Sequence, residues 1–287
     1  MNLKNRLAEA RKNKGLTQAQ VADLLFLTTQ SISSWEQGHS IPDTDKIPEL
    51  AELYGVTTDW LLLGKEPSEE VKKVTEDLSD RLFNESRMGT YVNAYCDAKK
   101  LYETKRALAF AKNKHDGQYR KEGHSNERIP YIYHPLLLTC HALALGMEED
   151  NLLAACLLHD VCEDCGVEAD DLPFDDEVKD AVRLVTKPKD YNGSEEDRKA
   201  YYDGIAGNRI AMIVKILDRC NNVSSMATSF SDNRMAEYIM ETHQYIHPLI
   251  EKVRDEYPQY SNQMFLIRYH MNSVLEALRH HMRSSIE

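Results

Sequence analysis

Residues 152–164 read LLAACLLHDVCED. Seven apolar residues, Leu152–Leu158, run directly into a histidine, and three carboxylates follow within five residues. The run is far short of the roughly 18 apolar residues that span a bilayer. It reads instead as an apolar helix that holds the polar cluster at its end. Residues four apart share a helical face, so Glu163 lies one turn from His159 and Asp164 one turn from Asp160. An imidazole next to a carboxylate supplies a metal with two ligands. Two further acids one turn away can orient or deprotonate water.

Three more elements extend this pattern outward. His115-Asp116-Gly117-Gln118-Tyr119-Arg120-Lys121 and Pro130-Tyr131-Ile132-Tyr133-His134-Pro135 precede it, and Lys215-Ile216-Leu217-Asp218-Arg219-Cys220-Asn221-Asn222 follows it. His134, His159, Asp160 and Asp218 together make a mixed nitrogen and oxygen set for one divalent ion. Such a set suits manganese, iron or zinc better than copper. Taken singly, each residue has a plainer reading, as a satisfied core histidine or a helix cap. Four ordered elements in apolar-helix contexts favour the metal reading. With eleven histidines in the chain, chance doublets are expected, and His115–Asp116 is read as one.

The helical pattern covers nearly the whole chain, as in Leu3–Leu7–Ala10 and Val178–Ala181–Val182–Val185, and alternating strand patterns of useful length are absent. An all-α fold is expected. Gly15, Gly38 and Gly55 punctuate the first 64 residues at helix ends, and Gly64–Ser68 reads as a hinge. The expected organisation is a five-helix domain over 1–66, a partly helical linker over 67–90 and a larger helical domain over 91–287. In the first domain Thr17 and Gln20 form a capping box, Thr28 opens a helix that stops at Gly38, and Val21, Leu24, Ile32 and Trp35 are spaced to fill the core. Thr29, Gln30, Ser33 and Ser34 remain on the outer face.

The 287 residues carry 35 basic and 47 acidic side chains, a net charge of −12. A bulk excess of acid argues against a polyanionic partner, but it is uneven. Residues 1–14 hold five basic side chains and one acid, and residues 1–66 hold seven and nine. The first domain is therefore close to neutral. No stretch suits a membrane span, and the amino terminus lacks the apolar core of a secretory signal, so a cytoplasmic protein is expected. Six cysteines are too few for a disulfide scaffold, and Cys162–Cys165 is a lone C-x-x-C, weak evidence for zinc.

Two resemblances follow from these residues. LTQAQVADLLFLTTQSISSWEQGHSIP, Leu16 to Pro42, resembles the helix-turn-helix of the Cro/C1 (xenobiotic-response-element) repressor family, most specifically in its I-S-x-W-E-x-G ending, Ile32 to Gly38. The resemblance covers residues 3–63. It implies that Thr29, Gln30 and Ser34 face bases in the major groove of a double-stranded DNA operator, that Gln18 contacts a phosphate, and that the protein binds as a homodimer or higher homo-oligomer. The plainer reading of the same helices is a bundle used only for protein contacts.

Residues 104–230 resemble the HD-domain phosphohydrolases. More narrowly they are similar to the alarmone hydrolase domain of the RelA/SpoT family and its stand-alone small alarmone hydrolases. The discriminating parts are G-Q-x-R-K (Gly117 to Lys121), P-Y-I-x-H-P (Pro130 to Pro135), H-D-x-x-E-D (His159 to Asp164), V-T-K (Val185 to Lys187) and D-R-x-x-N (Asp218 to Asn222). The two cysteines simply interleave H-D-x-x-E-D. The resemblance implies manganese, with another divalent metal as the alternative, on His134, His159, Asp160 and Asp218. It implies that Glu163 and Asp164 activate or place the attacking water, and that Arg120 stacks on a guanine beside Lys121. Asn222 would contact the nucleotide sugar, with Ser225 near the same nucleotide. The implied reaction is removal of the 3′-pyrophosphate of guanosine tetra- or pentaphosphate, (p)ppGpp, the alarmone of the stringent response. Arg198, Lys199 and Arg209 are candidates for the remaining phosphates.

Three features depart from the family pattern: a longer segment between Arg120 and His134, Cys220 and Asn221 in place of the usual Leu and His, and no synthetase segment after the motifs. A chain so built is expected to degrade an alarmone without making one. Two alternatives stay open at this point: a transcriptional regulator whose HD domain only senses a nucleotide, and a phosphohydrolase acting on another nucleotide. The fusion also suggests that nucleotide level is coupled to transcription.

Overall fold

The computed structural model describes residues 2–65, 85–120 and 129–284. Among the described residues every regular element is a helix, and the only ladder-type pairing is an isolated antiparallel bridge between Tyr119 and Pro130. The chain divides into two compact units, Met1–Arg81 and Leu82–Glu287. The helix Glu85–Lys99 begins in the span read from sequence as a linker, 67–90, and continues past it; residues 67–84 of that span lie outside the described residues.

The smaller unit holds α1 (Leu3–Asn13), α2 (Gln18–Leu24), α3 (Thr29–Gln37), α4 (Lys46–Tyr54) and α5 (Thr58–Leu63). The Thr17–Gln20 capping box forms, and Gly38 ends α3 at φ 78°, a left-handed conformation that costs glycine little. Leu7, Val21, Ile32, Trp35, Leu50 and Leu61 fill the core. Leu24 does not join them: it is 54% exposed. The two-turn α2 turns Val21 and Ala22 inward, with Leu25 packed against them, and this carries Leu24 to the outside. Arg6 is buried and donates from Nε to the Leu61 carbonyl at 2.7 Å, satisfying a carbonyl at the end of α5.

The larger unit is built around two helices that are apolar on nearly every side. In α9 (Asp150–Leu158) all seven residues from Leu152 to Leu158 are buried. It contacts α7 (Tyr102–Lys114), α8 (Tyr133–Ala144), α11 (Asp176–Val185) and α13 (Arg209–Ser225). A helix hydrophobic all round belongs in a core. The second is α13, buried along most of Ile210–Cys220. Around them stand α6 (Glu85–Lys99), the one-turn α10 (Val161–Cys165), α12 (Glu195–Ile205), α14 (Asp232–Glu241), α15 (His247–Glu256) and α16 (Ser261–Ser284). No helix among the described residues is long and apolar enough to cross a membrane.

Candidate active site

Three helices deliver the polar cluster. His134 lies in the first turn of α8, His159 ends α9, Asp160 precedes α10, and Asp218 projects from α13. His134 Nε2 lies 3.1 Å from Asp218 Oδ1 and 3.9 Å from Asp160 Oδ2. His159 Nε2 lies 3.1 Å from Asp160 Oδ2 and 3.9 Å from Asp218 Oδ1. His134, His159 and Asp160 each bring one ligand atom within 4.8 Å of the others. Ligands bonded to one ion at about 2.0–2.2 Å stand apart by distances of this order.

The hydrogen bonds around the cluster favour a cation at its centre. His159 Nδ1 donates to the Cys156 carbonyl at 2.9 Å, which turns Nε2 toward the carboxylates. That Nε2 is buried and makes no directed hydrogen bond; its nearest polar neighbour is Asp160 Oδ2 at 3.1 Å. The donor set, two imidazoles and two carboxylates, fits a divalent ion of borderline or hard character. Burial works against charge on His159, yet Asp160 and Asp218 prevail and lift it to about 9. Burial keeps His134 below its ordinary value against the pull of Asp218. Both aspartates, although buried, are held well below the usual carboxylate range, Asp160 by the histidines and Asp218 chiefly by Lys215.

A second layer fixes the carboxylates. Lys215 donates to Asp218 Oδ2 at 2.9 Å, and Asn222 donates to Asp218 Oδ1 at 2.6 Å. The Tyr131 hydroxyl donates to Asp160 Oδ2 at 2.9 Å. Burial, then Asp160 and Asp164, push that phenol far above its ordinary value, so it stays a donor. His115 stacks on Tyr131, with ring centroids 4.7 Å apart and planes at 24°, and its Nδ1 lies 2.8 Å from Gln118 Oε1. His115 is therefore a buried buttress of the cluster, while Asp116 is exposed and the His115–Asp116 doublet does not line the cavity. Sequence periodicity carried no sign of this, because the stack joins a helix end to a turn sixteen residues on.

The cluster opens into a cavity of about 480 Å³. Arg120, Glu163, Asn222 and all four predicted metal ligands line it. The remaining predicted residues divide. Asp164 does not line the cavity; it is half-buried, interacts with Tyr131, and its carboxyl is pushed up by burial. Glu163 faces the cavity and pairs with Lys187 at 2.9 Å. Ser225 is exposed near the end of α13 and lies outside the lining. Lys121 lies outside the described residues. Arg120 is held by backbone pairing, its N–H donating to the Ile129 carbonyl at 2.9 Å while the Tyr131 N–H donates to Gln118.

Of the other basic candidates, Arg198 lines the cavity, while Lys199 pairs with Asp203 and Arg209 with Glu149 outside it. Sequence reading missed Arg234 and gave Lys187, Lys215 and Arg219 no role. Together the lining carries six Lys or Arg side chains against four Asp or Glu. That balance reverses the acidic excess of the whole chain. In the C-x-x-C, burial pushes the Cys162 thiol up to about 11 and raises Cys165 as well.

In the smaller unit, Thr29 and Gln30 are exposed at the start of α3. Ser34 is partly covered, and its hydroxyl lies 2.7 Å from that of Ser40. Gln18 donates to Glu36 Oε2 at 2.8 Å, and Glu36 is itself held by Arg11. One Gln18 amide hydrogen is thus committed within the fold, and the other is left for an outside acceptor.

Residues 7–61 match the helix-turn-helix family. Among relatives, the HTH-type transcriptional regulator ImmR of Bacillus subtilis is 41% identical over 86 residues, covering 30% of this chain and 65% of the regulator. The guanosine-3′,5′-bis(diphosphate) 3′-pyrophosphohydrolase of Aquifex aeolicus is 31% identical over 156 residues, covering 53% of this chain and 21% of that protein. A solved structure described as a metazoan ortholog of SpoT that hydrolyzes ppGpp matches at TM-score 0.45 and 20% identity, over 61% of this chain and 93% of that one. The chain thus spans under two thirds of the regulator and about a fifth of the pyrophosphohydrolase. It carries an XRE-type helix-turn-helix domain at its amino terminus, and the rest has its homologues among RelA/SpoT-like proteins.

Proposed function

We propose that the larger unit is a metal-dependent hydrolase that removes the 3′-pyrophosphate of guanosine tetra- or pentaphosphate, and that the smaller unit binds double-stranded DNA. One observation carries the first reading. The four predicted ligands converge at the wall of a cavity whose lining is net cationic in a chain of net charge −12. A nucleotide bearing several phosphates suits the basic lining, and a scissile phosphate suits the cluster.

His134, His159, Asp160 and Asp218 would hold the ion, for which manganese is the favoured identity. Bound there, a divalent cation supplies Lewis-acid chemistry to phosphoryl oxygen and water. The chain's own residues do the rest. Lys215 and Asn222 orient Asp218, and Tyr131 orients Asp160. Glu163, facing the cavity, is placed to take a proton from attacking water, with Lys187 holding it in position. Asp164, its carboxyl raised by burial, interacts with the Tyr131 hydroxyl and would act through it, helping to hold that group beside Asp160. Arg120 reaches the cavity from its paired backbone and offers a planar cation to a base.

In the smaller unit, α3 presents Thr29 and Gln30 to base edges, and Gln18 keeps one N–H for a phosphate. A single recognition helix covers one half-site, so two chains are expected per operator. Nucleotide occupancy would alter transcription to the extent that it favours one dimer arrangement over another.

The deciding experiment is incubation of the purified protein with Mn²⁺ and ppGpp and quantification of released pyrophosphate. Release that vanishes in His159→Ala, with helicity retained, supports the reading. Tight nucleotide binding without release would replace the enzyme with a sensor.

A further inference from the structure

On another part of the larger unit, α14 and α15 join through a single π-helical turn, Thr242–Ile246. His243 lies in this turn and His247 is the first residue of α15. Their Nδ1 atoms stand 3.1 Å apart, and the rings meet edge to face, with centroids 4.7 Å apart at 77°. We propose that His243 and His247 form a second metal site, binding a divalent cation of the zinc, nickel or cobalt class, separate from the His134–His159–Asp160–Asp218 cluster.

The separation of the two nitrogens fits one ion held by both. Metal–imidazole bonds of about 2.0–2.1 Å, at angles between square and tetrahedral, put two nitrogens roughly 2.9–3.4 Å apart. The edge-to-face arrangement differs from the parallel stack seen between His115 and Tyr131, and it brings two ring nitrogens together instead of two faces. The turn contributes to the approach. A π turn inserts an extra residue between helical stretches, a local irregularity often found at functional sites.

The surroundings fit a nitrogen ligand at His247. His247 is held below its ordinary value by burial first and then by His243 and Arg268. Arg268 and Asn272 face it from α16. The charge of Arg268 is offset by Glu251, one turn further along α15, which pairs with Arg268 and Arg254. His243 is exposed, so water can complete the coordination.

A pair of imidazoles without a carboxylate selects borderline cations over manganese or magnesium. The two sites should therefore sort metals differently. They also share an element: Thr242, in the π turn, takes a hydrogen bond from Arg219, which lines the cavity.

Equilibrium dialysis of the full chain against Zn²⁺ tests the site. His243→Asn and His247→Gln should each bind one Zn²⁺ fewer than the wild type. His134→Gln should retain that same equivalent, and excess Mn²⁺ should not displace it. Undiminished stoichiometry in His243→Asn would overturn the proposal, as would loss of the same equivalent in His134→Gln. Because His243 is exposed, its replacement leaves the packing intact, and this variant decides the matter if His247→Gln misfolds.

Discussion

Both units bury ionisable side chains, but they complete them differently. In the smaller unit Arg11 and Glu36 form a two-pronged pair at 2.6 and 2.9 Å, with side chains only 11% and 7% exposed. Gln18 takes a further place on Glu36, and Arg11 reaches the Leu16 carbonyl at 2.7 Å. Every charge there is answered from within the fold. In the larger unit His134, His159 and Asp218 are more deeply buried, yet His159 Nε2 makes no directed hydrogen bond, only a 3.1 Å approach to Asp160, and the group faces a cavity. A closed network serves the fold, and an open one needs something from outside. The contrast locates chemistry without reference to any relative.

The largest effect should come from the open network. His159→Ala removes one proposed ligand and, on the proposed function, is expected to lower pyrophosphate release by on the order of 10³-fold or more, since the lost charge stabilisation amounts to several kcal/mol. Its thermal transition should move far less than its activity does. A variant that loses activity only by unfolding would erase the contrast. The closed network should give the reverse result. Arg11→Met leaves the partly buried Glu36 without its cation, which costs about 1–3 kcal/mol. Both tryptophans of the chain, Trp35 and Trp60, lie in the smaller unit, so tryptophan fluorescence follows that unit alone during urea unfolding. Pyrophosphate release by the larger unit should survive.

How far each network was legible in the sequence follows from its geometry. The helix boundaries, the capping box at Thr17 and the stop at Gly38 depend on local spacing, and the sequence displays local spacing directly. The four metal candidates were legible because each sits in a compact motif. Lys215, three residues before Asp218, was quoted within such a motif but given no task. The sequence offers nothing to distinguish a buried counter-ion from a solvated lysine. The buttressing role of His115 was hidden for a related reason: its partner Tyr131 lies beside the Tyr119–Pro130 pairing, where no helical period applies. Leu24 failed for the opposite reason. A three-residue spacing from Val21 suggests a shared face, but a two-turn helix is too short for spacing alone to say which edge of the stripe stays covered.

Smaller effects sharpen the same contrast. Tyr131→Phe keeps the ring that stacks on His115 and deletes the hydroxyl that orients Asp160. Partners of metal ligands typically contribute 10–100-fold to affinity or activity, and metal titration with parallel turnover assays should show a loss of that order. In the smaller unit, Gln30→Ala should weaken operator binding by about 1–3 kcal/mol in a gel shift, with the unfolding curve unchanged. Gln18→Ala should affect both measurements, because its amide belongs to the closed network as well as to the proposed phosphate contact.

The closed network also carries a pH signature. Burial alone would raise the Glu36 carboxyl, but Arg11 and Gln18 outweigh it and hold the group below its ordinary value of 4.5. A carboxyl with a depressed folded-state pKa binds its proton more readily in the unfolded chain. Its contribution is therefore complete above the ordinary value and is lost as pH falls through the folded-state value. Tryptophan-detected stability of the smaller unit should accordingly hold steady from neutral pH down to about 5 and then decline. In Glu36→Gln the neutral amide can still accept from Arg11, but it no longer titrates, so its stability should start lower and fall less steeply in acid. Parallel acid profiles for the two proteins would show that the Arg11–Glu36 pair is not the charge that acid removes.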